Sequence, residues 1–285
     1  MANDVMMTFS NHELSNDYLS TSEIKQRCPL AYATTPTNPK VSDKYVQANT
    51  STVIDDMAKL GWYPVEAKQK KARKNSSGIQ SFHMIAFQNP DVKIMQGDDV
   101  EAYPRIILTN SHDGMASFRF RVGLYRCICS NGLVICDENF ADLTIRHINY
   151  TFDDLRHLVV KTMSELPAYI EIMNKMKTTT LNKEQKYDLA LKMMKIRKNV
   201  PFEETINVSE KTLTDVLEPV RKEDEGDSLW CVFNTLQEKM IRGGFMAETG
   251  RTDKLRKVRP VKSFVRDLSA NHQFFGTAME YLEAA

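Results

Sequence analysis

The sequence predicts an α+β protein, with an antiparallel β-rich N-terminal and central part followed by a mostly helical C-terminal part. Three observations lead there. Apolar residues alternate with polar ones between Tyr63 and Tyr150, broken by glycine-containing turn signals, and at Thr151 the apolar spacing changes to that of a helix. From there on, cap-and-stop signals recur. The 285 residues, 42% hydrophobic and 26% charged, can bury a substantial core. The expected organisation is an irregular arm over 1–49, a β-rich domain with one short helix over 50–150, and a helical part over 151–285.

Pro29, Pro36 and Pro39, with few periodic apolar positions, predict an extended lead-in. From Thr50, placed to cap, the positions Val53, Met57 and Leu60 fall at i, i+4 and i+7, with Gly61 placed to end a short helix. Next comes a β-hairpin around Asn75 to Gly78, in which Phe82, Met84 and Ala86 alternate with His83, Ile85 and Phe87. The run from Gln96 to Pro104 reads as an acidic loop. Strands are expected over Arg105 to Thr109, Ser117 to Cys129 and Leu133 to Cys136, separated by turns at His112-Asp113-Gly114 and Asn131-Gly132.

Thr151 and Asp154 form a capping-box-like start, after which Leu155, Leu158, Val159 and Met163 share one helical face. Further helices are expected over Asn182 to Arg197, Ser209 to Leu217 and Asp227 to Arg242, the last with Leu229, Phe233, Leu236 and Met240 as its stripe and Gly243-Gly244 as its stop. A final helix is expected over Asn271 to Leu282. Arg221 to Asp227 reads as a linker. The methionines Met173, Met176, Met193 and Met194 read as core filling.

No apolar run approaches the roughly 20 residues of a membrane span, and the first residues lack a basic start with an apolar stretch. A cytoplasmic protein without membrane contact is expected. Cys28, Cys127, Cys129, Cys136 and Cys231 are odd in number and scattered, so reduced packing thiols are expected rather than disulfides. The net charge is only +1, so a polyanionic partner must be argued from where the charges lie.

They lie in three clusters. Lys68, Lys70, Lys71, Arg73 and Lys74 fall on a strand and its hairpin turn, where they can track phosphates or simply solvate an edge. Strand parity puts Arg119 and Arg121 opposite Phe118, Phe120 and Val122, making one face core and the other cationic, with Arg126 following. The third cluster is Arg251, Lys254, Arg256, Lys257, Arg259, Lys262 and Arg266, read as a flexible basic loop around Arg256 to Arg259. Exposed aromatics such as Trp62 and Tyr63 would stack on bases.

Metal binding is the weaker explanation of Cys127, Cys129, Cys136 and His147, because C-x-C is not the usual zinc spacing. His112 with Asp113, Cys129 or Ser130, and His147 could serve catalysis, yet turn chemistry and strand packing explain them more cheaply. No P-loop, H-E-x-x-H or G-x-S-x-G occurs. No catalytic residue, metal or cofactor is required by the sequence.

At Asn110 to Gly114, Arg119-Phe120-Arg121, Cys129 to Gly132, Ile145 to His147, Phe233 to Glu238 and Gly243-Gly244, the chain resembles the phage/plasmid-like family, domain of unknown function 932. The likeness covers about Thr50 to Gly244. It implies a mobile-element, cytoplasmic context and imports no activity. In topology, a helix, Gly61-Trp62, a basic strand, a hairpin and a further strand and helix look like the core of phage single-strand annealing proteins. That likeness implies a basic groove and rings of subunits on single-stranded DNA.

The function expected is therefore single-stranded DNA binding or annealing in phage or plasmid replication or recombination, with nucleic acid and a second copy of the chain as partners. The alternatives are an enzyme of mobile-element nucleic-acid metabolism using His112 or His147, and an accessory protein that binds a host or phage protein.

Overall fold

The computed structural model describes residues 3–7, 18–34, 49–70, 82–112, 118–126, 132–133, 143–145, 151–249 and 252–283. The chain divides into two compact units, Met1–Ala168 and Tyr169–Ala285. The first holds an antiparallel sheet and the second is mostly helical. The division falls inside a helix, eighteen residues after the change of period at Thr151.

In the first unit the strands are β1 (Asn3–Met7), β2 (Tyr63–Gln69), β3 (His83–Gln88), β4 (Val92–Gln96), β5 (Asp99–Asn110), β6 (Phe118–Arg126), β7 (Gly132–Leu133) and β8 (Leu143–Ile145), with helices α1 (Thr21–Arg27), α2 (Thr50–Lys59) and the start of α3 (Phe152–Thr178). The central order is β2-β3-β5-β6, β7 and β8 pair with β6, and β1 joins through β4; every pairing is antiparallel. The hairpin expected after α2 is β2–β3, while its turn at Asn75 to Gly78 lies outside the described residues.

Antiparallel partners share a face. Ala67, Ile85, Leu108 and Phe120 form one cross-strand row, and Phe87 with Ile106 belongs to the next. This face is the core, closed by Ile24 of α1, Val53 and Met57 of α2, Trp62, and Leu155 and Leu158 of α3. α2 buries the stripe read from its spacing, but Thr50 does not cap it, because Asn49 holds the N-cap position and the Thr50 hydroxyl turns to the sheet; Thr151 caps α3 reciprocally with Asp154.

Residues 18–34 are not an irregular lead-in. Ser20 and Glu23 form a capping box that starts α1, and Ile24, Cys28 and Ala31 are buried. The segment also covers the outer edge of β2: Leu19 N donates to the Pro64 carbonyl at 2.7 Å, Leu30 N donates to Gln69 Oε1 at 3.1 Å, and Cys28 Sγ reaches the Lys68 carbonyl at 3.6 Å. Covering an edge removes the exposed ladder that invites pairing with other chains.

The acidic stretch before Arg105 is a hairpin rather than a loop. Gln96 pairs with Asp99 around Gly97 and Asp98, with Gly97 at φ +62° as a tight two-residue turn requires. β5 therefore starts at Asp99 and runs through Pro104. Proline is tolerated there because β4 pairs only as far as Ala102 and β3 begins at Arg105, so Pro104 falls in the gap between them.

A buried polar cluster joins α2 to the sheet. Asn110 Nδ2 donates to Thr50 Oγ1 at 2.9 Å, and the same oxygen shares a proton with His83 Nε2 at 2.8 Å. The His83 and His112 rings lie 4.9 Å apart, and all four residues are fully buried.

The second unit contains the rest of α3, α4 (Lys183–Lys198), α5 (Glu210–Leu217), α6 (Leu229–Arg242), the strands β9 (Met246–Thr249) and β10 (Thr252–Lys257), and α7 (Phe264–Glu283). Asn182 and Gln185 box the start of α4, and Asn199 ends it in the left-handed conformation. α6 buries Leu229, Phe233, Leu236 and Met240 as its spacing predicts. Met173, Met176, Met193 and Met194 are buried core.

Three readings of this part change. Arg221 to Asp227 is no linker, because Arg221 is bidentate to Glu238, Asp224 is buried and the Asp227 carbonyl accepts from Leu181 N. α7 begins at Phe264, a turn and more ahead of Asn271, with Ser263 accepting from Arg266 N at its start. The basic run after Gly243-Gly244 is a strand as far as Lys257: β10 pairs with β9, and the pairing continues through Gly244 N to the Val258 carbonyl and Val258 N to the Phe245 carbonyl.

Candidate nucleic-acid interface

The face of the sheet opposite the core carries the second basic cluster. Its rows, read across β2, β3, β5 and β6, are Lys68–Met84–Thr109–Arg119, Glu66–Ala86–Ile107–Arg121 and Tyr63–Gln88–Arg105–Gly123, followed by Tyr103–Tyr125 across β5 and β6. At about 4.8 Å between strands, Lys68 and Arg119 stand roughly 14 Å apart on one surface. Met84, Ala86, Ile107 and Thr109 are buried, while Arg105, Arg119, Arg121, Lys68 and the three tyrosines are half-buried. Long side chains thus rim an apolar floor.

Local contacts position Arg121, Lys68 and Arg105. Arg121 Nη1 reaches Thr109 Oγ1 at 3.5 Å, and Lys68 Nζ pairs with Glu66 at 2.6 Å, which offsets part of its charge. Arg105 was not singled out by sequence. Its Nε donates to Gln88 Oε1 at 3.0 Å, and its guanidinium lies over the Tyr125 ring. The missing signal was cross-strand register, which brings Arg105 opposite the bare Gly123 and beside Arg121.

Arg126 does not extend this row. It shares the parity of Phe118, Phe120, Val122 and Leu124 and is 3% exposed, so the strand alternation that selects Arg119 and Arg121 turns Arg126 to the other face. Trp62 is 1% exposed in the core, so it is no stacking platform, whereas Tyr63 is half-exposed and meets Tyr18 edge-on at 5.5 Å. Lys70 is exposed beyond the end of β2; Lys71, Arg73 and Lys74 lie outside the described residues.

In the second unit, Lys254, Arg256, Lys257, Arg259, Lys262 and Arg266 are exposed along β10 and the approach to α7, and Arg251 lies outside the described residues. A hairpin fixes the spacing of Arg256 and Lys257 more firmly than a loop would.

His112 is fully buried, which closes it to a substrate in this conformation. Asp113, Cys127, Cys129, Ser130, Cys136 and His147 lie outside the described residues, among which no three His, Cys, Asp or Glu side chains gather in a group able to hold a metal. Also among the described residues, no helix is long and apolar enough to cross a membrane.

The chain is similar to two proteins of Escherichia coli (strain K12). It is 28% identical over 228 residues to the UPF0380 protein YfjQ, covering 79% of each chain, and 27% identical over 210 residues to the UPF0380 protein YafZ, covering 74% of this chain and 72% of that one. No solved structure matches it. The family described as "Domain of unknown function (DUF932)" matches residues 39–273, the sheet without β1 and nearly all of the helical part, and the chain belongs to that family.

Proposed function

We propose that this protein binds single-stranded nucleic acid, with DNA favoured, through the half-buried rim of the sheet face opposite the core, and that it serves replication or recombination of a phage or plasmid in the host cytoplasm. One observation carries the reading: Lys68, Arg105, Arg119 and Arg121 share a face with Tyr63, Tyr103 and Tyr125. Cations that hold phosphates, interleaved with aromatics that can take bases, suit an unpaired strand better than a duplex. Arg256, Lys257 and Arg259 of the second unit offer further phosphate contacts. The role needs no catalytic residue, and a second copy of the chain is the expected protein partner.

Fluorescence anisotropy with single- and double-stranded oligonucleotides across a salt series tests it. The expected result is tighter binding of the single strand, with an affinity that falls linearly in log salt. Absence of binding at low salt overturns the reading. Sedimentation with and without oligonucleotide tests self-association.

A further inference from the structure

The end of α4 gathers arginines that no carboxylate among the described residues neutralises. Arg197 stands in the last helical turn, and its Nη2 donates to the Arg259 carbonyl. Arg266, in the first turn of α7, donates from its own Nη2 to the Arg197 carbonyl. Both ties run to backbone oxygens. None of the three arginines forms an ion pair among the described residues, and the neighbouring carboxylate, Asp267, accepts from Asn271 Nδ2 at 2.6 Å.

Three features of this arrangement are unfavourable as they stand. Arg197 Nη1 is buried and makes no hydrogen bond, which is costly for a charged donor. Burial and then the nearby Arg266 charge also pull the Arg197 pKa below the ordinary arginine value. Arg266 itself sits at the positive end of the α7 dipole, the wrong place for a cation. An anion between the two guanidinium groups would remove all three penalties at once.

We propose that Arg197 and Arg266 form a binding site for a phosphate group, with the Arg259 carbonyl holding Arg197 in place. Guanidinium forks match tetrahedral oxyanions, and a site with a buried donor favours a compact, highly charged ligand over diffuse counterions. The phosphate comes from one of two sources, the terminal phosphate of a nucleic-acid strand or a small phosphate compound. The site lies wholly in the second unit and stands independently of the sheet face.

The test is calorimetric titration of the full chain with inorganic phosphate at fixed ionic strength, with chloride as the control. Saturable binding is expected, weakened at least tenfold by Arg197→Gln and by the surface substitution Arg266→Gln, and unchanged by Lys198→Gln. No saturable binding, or equal binding by Arg266→Gln, overturns the proposal even if Arg197→Gln does not fold. Oligonucleotides with a 5′ phosphate or a 5′ hydroxyl distinguish the sources: preference for the phosphorylated end identifies a strand terminus, while equal affinity with phosphate binding retained identifies a small ligand. Arg119→Ala/Arg121→Ala should leave phosphate binding intact, so this site and the sheet-face reading fail separately.

Discussion

The guanidinium carbon of Arg105 lies 3.6 Å from the centre of the Tyr125 ring. Gly123, directly across from Arg105, puts no side chain in the way, and Gln88 holds the arginine Nε from the other side. A stacked guanidinium keeps its charge while losing little freedom on meeting a phosphate. Arg105→Ala is expected to weaken oligonucleotide binding and to cost about 1 kcal/mol in urea unfolding. Arg105→Lys, which keeps the charge without the flat stack, should fall between.

If Arg119 and Arg121 each hold one phosphate of a single strand, replacing both by alanine removes about 1.4 from the slope of log affinity against log salt. Affinity itself should fall most at low salt. An unchanged slope would show that these arginines serve the folded sheet alone.

Both tryptophans, Trp62 and Trp230, are buried, at 1% and 4% exposure. Oligonucleotide binding should therefore leave the tryptophan emission free of stacking quench, whereas Tyr63→Ala should weaken binding. Trp62→Ala acts through the core instead, with a loss of about 3–5 kcal/mol of stability by denaturant titration.

Gly243 ends α6 at φ +69°, and a Cβ there would stand 2.4 Å from the Val258 carbonyl. Gly243→Ala should cost more than the roughly 1–3 kcal/mol of a strained backbone alone, because the ladder leading into β10 must also move. Gly244→Ala, at φ +95° with open space around it, should pay only the strain. Comparing the two urea midpoints separates the effects.

Burial pushes the Asp188 carboxyl up, but hydrogen bonds from Tyr281 and Lys192 outweigh it and hold its pKa below the usual aspartate value. A depressed folded pKa gives stability that is complete above the unfolded value of about 3.9 and lost as pH falls through the folded one. Tyr281→Phe removes one of those bonds. The variant should be less stable than the parent at pH 6, with the gap narrowing from about pH 4 downward. A gap independent of pH would point to packing alone.

Burial also pushes the Cys28 thiol up to about 11, against the pull of the Ala31 backbone. The thiolate is the reactive form, so alkylation of Cys28 at pH 8 should be slow until the chain unfolds. Mass-spectrometric mapping of iodoacetamide adducts checks this.

Where periodicity and turn chemistry agree, the sequence is readable: α2 and α6 carry their stripes openly, α4 carries its Asn182–Gln185 box, and the parity of Phe118 and Arg119 separates the two sheet faces. The same parity rule, carried four residues past Val122, turns Arg126 inward. Ser20 and Glu23 spelled a capping box, but prolines masked it and a seven-residue helix has little stability without the β2 edge it covers. Gly97-Asp98 was hidden among acids, and Trp62 follows a helix stop that usually leads to the surface. Arg105 and Arg197 depend on register and helix docking, which no local pattern encodes.

Thr50 takes its partners from two different strands, His83 on β3 and Asn110 on β5. A slip of one residue in either strand would remove a polar partner from a fully buried site. The cluster thus ties the docking of α2 to the register of both strands, since Thr50 meets both partners only on an aligned sheet. Chains folding with Thr50→Val should reach the same sheet with weaker discrimination, visible as slower, more heterogeneous refolding rather than as a change in the finished structure.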